Sequence, residues 1–374
     1  MNSVIEINPI GVRTEQPFLP QSILSEPNPG KAAAPSAGAF QWSWACRKLE
    51  LAPDLRMEQP GRARPLPGDL ALVRVEKTGF HKYLTTAENR RMRLYSGAQF
   101  VGVFGNRYAT DAYEAEVEGT DNLSLLTGAG MIGTVKSKHE IMTEPTRISL
   151  VGFVRTEEGP RFNLKQRHFR PTTVRRSPRN LIYIVGTGMN SGKTTTAARL
   201  IKGLSDLGVN VAACKLTGSV SNHDPDELAA AAARRVIDFS DFGFPSTYLC
   251  AKEELLELFH AMLAEVTTCD PDVVLMELAD GILQRETAML LAEPEMRRAA
   301  RGLVLSAESS VAAIWGVGRL RQLAYPLIAV SGKFTSSPLA MREYVENDST
   351  IPVVSSAGTG EALAARVSEF LKSE

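Results

Sequence analysis

The segment Leu181–Ile201, LIYIVGTGMNSGKTTTAARLI, sets an apolar strand, a glycine-containing turn and a helix in the order a phosphate cradle requires. Backbone N–H groups of such a turn, and of the helix it opens, converge on phosphate oxygens. Gly186, Thr187, Gly188, Met189, Asn190, Ser191, Gly192, Lys193, Thr194 and Thr195 are therefore the candidate nucleotide-binding residues. Lys193 is placed to reach the β- and γ-phosphates, and the Thr194 hydroxyl to ligate Mg²⁺. A second carboxylate-bearing strand, DVVLMEL, ends at Glu277 with Gly281 shortly after. An acid at the C-terminal end of a buried strand beside the loop is where a Mg²⁺–nucleotide finds an oxygen ligand. Asp280 shares that turn.

The leading glycine lies one residue earlier than in the common GxxxxGK[ST] spacing, giving G-T-x-x-x-x-G-K-T from Gly186 to Thr194. This arrangement resembles dethiobiotin synthetase and related ATP-dependent amide-forming and ring-closing enzymes. Their next strand leads into a Lys-Pro-x-x-x-Gly segment, and here AACKLTGSVSNHDPDELAA stands in its place. The resemblance implies that Lys215 orients a substrate, that Thr217, Gly218 and Ser219 face it, and that Asp226, or else Asp224, joins Thr194 and Glu277 in binding the metal. It also implies ATP and Mg²⁺ as cofactors, with Lys193 and Lys215 as catalytic groups and a homodimer as the candidate assembly. It covers roughly Asn180 to the C-terminus. The run NSGKTT with a Lys-bearing second strand also resembles the GTP-binding accessory proteins of molybdopterin-guanine dinucleotide synthesis, whose glycine spacing this chain lacks.

Weaker signals lie elsewhere. Ser331-Gly332-Lys333 follows the strand PLIAV, where nucleobase contact and a plain turn are both open. GFHKYL and FGNRYATDAYEAE mix aromatic and charged residues in expected loops, which suits either ligand contact or ordinary barrel surface. The five histidines, His81, His139, His168, His223 and His260, show no metal-ligand spacing. No serine-nucleophile elbow or protein-kinase HRD or DFG segment accompanies the loop.

These residues need elements to hold them. After Asn180, the runs LIYIV, VNVAA, DVVLMEL, GLVLS, PLIAVS and IPVV read as strands, and their continuous apolar character predicts burial on both faces of a parallel sheet. Helices are expected at 194–207, 226–238, 252–266, 286–300, 308–324 and 359–371. The fold expected is thus a doubly wound α/β P-loop NTPase domain over 181–374. Short Gly-punctuated apolar runs from Gly68 onward predict a smaller, mostly-β, barrel-like domain over 46–160. The Pro-rich stretch 1–45 reads as a flexible tail, and the Arg-rich 161–180, with Arg167, Arg170, Arg175 and Arg176, as a basic linker.

At 374 residues the chain suits two domains. Lys+Arg and Asp+Glu are both 42, so no net field draws in nucleic acid or an anionic membrane, and a small-molecule partner is favoured. The four cysteines are spaced for neither zinc nor disulfides. With no membrane-length apolar run, a cytoplasmic location is expected. Two functions fit: an enzyme that phosphorylates or activates a small, carboxylate-bearing substrate with ATP, or a nucleotide-switched accessory protein, ATPase or GTPase, acting on a partner protein or cofactor.

Overall fold

A computed structural model describes residues 40–49, 55–58, 64–156, 159–355 and 357–373. The proline-rich segment expected as a tail lies, up to residue 39, outside them.

The strands β1 (Leu70–Lys77), β2 (Gln99–Phe104), β3 (Leu123–Leu125), β4 (Met131–Lys138) and β5 (Thr146–Thr156) close on themselves in the order β1-β2-β4-β3-β5. All neighbours are antiparallel except β2 and β4, whose parallel pairs Val103–Met131 and Phe104–Ile132 shut the ring. Alternation decides what each strand buries. Ala71, Val73 and Val75 of β1 join Phe100, Phe104, Leu125, Ile132 and Phe153 inside. Leu70 and Leu72 point the other way, toward Val101, Val103, Phe162 and Leu164, a cluster that Val220 of the second domain enters. Gln41–Trp42 already pairs with β2, ahead of the expected boundary at 46, and the expected linker carries a short helix, Leu164–His168, capped by Asn163.

The second domain is a six-stranded sheet formed by β6 (Leu181–Gly186), β7 (Val211–Thr217), β8 (Arg235–Asp238), β9 (Val273–Leu278), β10 (Gly302–Ser306) and β11 (Leu327–Ser331). Their order is β8-β7-β9-β6-β10-β11 and every pairing is parallel. Leu181, Tyr183 and Val185 of β6 face one core while Ile182 and Ile184 face the other, so helices cover both sides as the apolar runs predict. Each such fully buried side chain contributes roughly 2 kcal/mol of transfer free energy.

Three element expectations need correction. The helix expected over 226–238 is His223–Ala230, and its last four residues, Arg235–Asp238, form β8. Ala232 turns the chain at φ 72°, and RVID then pairs along β7, so sheet-edge pairing overrides the helix propensity of the alanine run. The helix over 286–300 is two, Arg285–Ala292 and Pro294–Ala299, because Pro294 has no N–H to continue the first. IPVV contributes one bridge, Val353 to Val330, rather than a full strand.

Candidate functional site

β6 lies at the centre of the sheet, and its C-terminal turn runs directly into the helix Lys193–Asp206. Two glycines make that turn possible. Gly192 adopts φ 94°, a left-handed conformation that costs an L side chain, and a Cβ at Gly186 would stand 2.2 Å from Ser191 Oγ. Lys193 is buried, and its Nζ donates to the carbonyls of Gly188 (2.8 Å), Met189 (3.1 Å) and Asp280. The ammonium therefore ties the loop to the turn that follows β9. Burial lowers its pKa, opposed by Glu277 and Asp280.

Sheet register sets the acidic floor. Lys215 of β7 pairs with Glu277 of β9, which pairs in turn with Ile184 of β6. Residues in register point the same way, here toward the face covered by the Lys193–Asp206 helix. Glu277 is 2% exposed, accepts a hydrogen bond from Thr194 Oγ1 at 3.3 Å through Oε1, and lies 3.7 Å from Lys215 Nζ. Lys215 also donates to Asp224. Burial opposes the Lys215 charge, but Glu277 and Asp224 outweigh it, so the pKa is raised and the group acts as a fixed cation rather than a base. Asp280 has its carboxyl pKa raised by burial, with Lys193 and Lys215 pulling it down and Glu277 pushing it up.

Fit to a phosphate and a hard cation can be tested on the polar atoms themselves. Thr187 Oγ1, Ser191 Oγ and Glu277 Oε2 are buried without a hydrogen-bond partner, all around the same loop. An oriented phosphate for the hydroxyls and a divalent cation for the carboxylate would satisfy them, since leaving such groups unpaired costs about 1–3 kcal/mol each. Among the described residues no cluster of three or more acids, histidines or cysteines stands ready to hold a metal alone. Thr194 and Glu277 instead suit Mg²⁺, which keeps waters and takes substrate phosphate oxygens alongside one or two protein ligands.

Of the sequence-derived candidates, Lys193, Thr194, Lys215, Ser219, Glu277, Met189 and Asn190 line one cleft of about 730 Å³. Asp226, Thr217 and Gly218 are placed elsewhere. Asp226 does not face this cleft: its carboxylate accepts from Asn89 of the barrel domain at 3.2 Å, and Asp224 takes the position against Lys215. The reason is helical, since Asp224 and Asp226 sit in the first turn of His223–Ala230, two residues apart and so on different faces. Thr217 is buried and donates to Ala279 O, bracing β7 against the β9 turn rather than meeting a ligand. Gly218 lies between them, its N–H bonded to Thr247 Oγ1 at 2.9 Å.

The opposite wall belongs to the barrel: Phe80, His81, Lys82, Tyr83, Arg91, Arg107 and Tyr108 line it, together with Thr127–Ala129. GFHKYL and the start of FGNRYATDAYEAE thus line the cleft across from the phosphate loop. Arg91 lies outside both motifs and had only its charge as a signal. Contacts cross directly between the walls: Asn190 Nδ2 donates to Asp111 Oδ2 at 2.8 Å, the Thr110 N–H meets Met189 Sδ at 3.1 Å, and Tyr248 Oη donates to Glu114 at 3.2 Å. His81 Nε2 lies 2.8 Å from Leu126 O, and burial, followed by Arg107, pushes its pKa down to about 4. Lys333 stays on the far side of the loop, where its N–H bonds Ser191 O at 2.9 Å.

No protein-family model matches the chain, and no curated protein matches it at a significant level. Solved structures offer distant likenesses of fold. One is the signal recognition particle receptor FtsY from Elizabethkingia anophelis, at 15% identity and TM-score 0.34, over 56% of this chain and 70% of that one. Another is chloroplast FtsY from Physcomitrella patens, at 16% identity and TM-score 0.35 with the same coverage. A third is the signal recognition particle 54 kDa protein from Aeropyrum pernix in complex with GDP, at 15% identity and TM-score 0.35, over 56% of this chain and 50% of that one. Likenesses this remote carry no inference about activity. None of the three is a dethiobiotin synthetase, so that resemblance rests on the loop and strand-end residues alone. Together, the sheet, loop and orphaned polar atoms make the C-terminal half a P-loop nucleotide-binding domain.

Proposed function

We propose that the protein is a Mg²⁺-dependent P-loop nucleoside triphosphatase that acts as a nucleotide-switched binding protein, its barrel domain reading the state of the loop. The observation that supports this reading is the direct seating of the barrel on the phosphate loop, through Asp111 on Asn190 and Thr110 on Met189. A γ-phosphate drawing Lys193 away from the Gly188 and Met189 carbonyls would release the loop residues whose side chains meet the barrel, which links nucleotide state to barrel position. Mg²⁺, held by Thr194 and Glu277, would supply charge neutralisation at the β- and γ-phosphates. ATP is the nucleotide implied by the loop resemblance, and GTP is the alternative to test. We propose that the protein works in the cytoplasm. Among the described residues no helix is long and apolar enough to cross a membrane.

A second reading, transfer of the γ-phosphoryl to a small carboxylate-bearing acceptor beside Lys215, is favoured by the size of the cleft, which extends well past Lys193. The two part on product analysis with γ-labelled ATP and GTP. Under the switch reading all label appears as inorganic phosphate, and the rate rises with a barrel ligand or partner that is itself unchanged. Label recovered on a metabolite would replace it with the transfer reading.

A further inference from the structure

Three cations stand on the barrel wall of the cleft, Lys82, Arg91 and Arg107, and among the described residues none has a carboxylate within ion-pair distance. Arg91 and Arg107 are positioned by something other than charge. Arg91 lies over the Tyr83 ring at 3.8 Å, a cation–π contact that extends the guanidinium along the wall. Arg107 donates to Leu126 O, touches neutral His81 at 3.5 Å and stacks toward Tyr113 at 5.8 Å, with its Nε buried and unpartnered. Of the carboxylates across the cleft, Asp224 and Glu277 are engaged by Lys215, while Asp280, beyond ion-pair distance, still acts electrostatically on Arg107. Phe80, Tyr83 and Tyr108 add aromatic surface between the cations.

A guanidinium with no carboxylate in ion-pair contact, a buried N–H and ring neighbours holding it in place is arranged for planar anions. From this geometry we infer that the barrel wall is the binding site for a small organic anion, a carboxylate or a phosphate ester with an apolar or aromatic body, anchored by Arg107 and screened by Lys82 and Arg91. The anion sits opposite Lys193, so it is the molecule whose binding the nucleotide controls. This inference rests on the nucleotide-site reading above, yet it concerns different residues.

The test uses the full chain with Mg²⁺ and a non-hydrolysable ATP analogue. Saturation-transfer NMR is recorded against a defined set of small mono- and dicarboxylates, matched phosphate esters and the corresponding neutral amides. At least one acid is expected to receive transfer while its amide does not, and the carboxylate and phosphate arms identify which headgroup is held. Arg107→Gln should weaken that binding about tenfold or more, as loss of a charge-assisted hydrogen bond does. The exposed pair Lys82→Gln with Arg91→Gln should weaken it less. Fluorescent-nucleotide affinity, measured separately, should stay within about twofold in all variants. Retained acid binding in both variants, or acids and amides binding alike, overturns the inference while leaving the nucleotide site intact. A drop in nucleotide affinity that matches the loss in Arg107→Gln also overturns it, because it assigns Arg107 to the triphosphate. Failure of the wild type to bind fluorescent nucleotide would instead strike the nucleotide-site reading.

Discussion

The two walls of the cleft are built in opposite ways. The phosphate-loop wall takes its groups from strand ends of one parallel sheet, where register places Lys215 beside Glu277 and a helix N-terminus brings Thr194 to the same carboxylate. The barrel wall takes its groups from loops and a small hairpin, and its two guanidinium groups are held by a ring and a carbonyl instead of by carboxylates. The first wall is therefore buried and electrostatically self-contained, suited to fixed work on a constant ligand. The second is more exposed and keeps charge unspent, which suits selection of a variable one.

The largest effect that distinguishes the walls is expected at Lys193. Lys193→Ala should lower nucleotide turnover by about a thousandfold or more, roughly 4 kcal/mol, since it removes a cation aimed at developing phosphate charge. Phosphate-release kinetics at saturating nucleotide check this, and near wild-type turnover would remove the loop wall from the chemistry. Next comes Lys215→Met, which strands Glu277 and Asp224 without their countercharge. Stability should fall by about 4 kcal/mol in urea unfolding, with Mg²⁺ recovering part of the loss. Equal loss with and without Mg²⁺ would mean that the metal does not use this floor.

The smallest effect belongs to the barrel wall. His81 has an ordinary pKa of 6.5 and a folded value near 4. Below the ordinary value the unfolded chain binds a proton that the folded chain refuses, so stability falls as pH drops through this window and is untouched above it. Between pH 7 and pH 5 the loss should be about 2 kcal/mol, and His81→Gln should flatten the slope. Denaturant midpoints at the two pH values measure it. An unchanged slope in the variant would show that the barrel wall is wetter than its geometry indicates.

Much of the loop wall was readable in one dimension. The run from Leu181 to Ile201 carries strand, turn and helix in contiguous residues, and the apolar runs that end at Lys215 and Glu277 announce their own strands. Local chemistry sufficed there because a phosphate loop is made of neighbours in the chain, and a strand buried on both faces has a composition found in few other settings. The choice between Asp224 and Asp226 was not readable, because it depends on which side of a short helix meets β7. Nor was β8, where pairing with Ala212–Lys215 outweighs alanine helix propensity. The barrel wall was beyond reach for a stronger reason. Arg107 and Lys193 stand 86 positions apart in the chain, and what brings their loops to one cleft is the seating of one domain on the other through Val220, Asn190 and Tyr248. Those contacts join surfaces that each domain's own periodicity marks only as exterior, and only the folded tertiary arrangement pairs them.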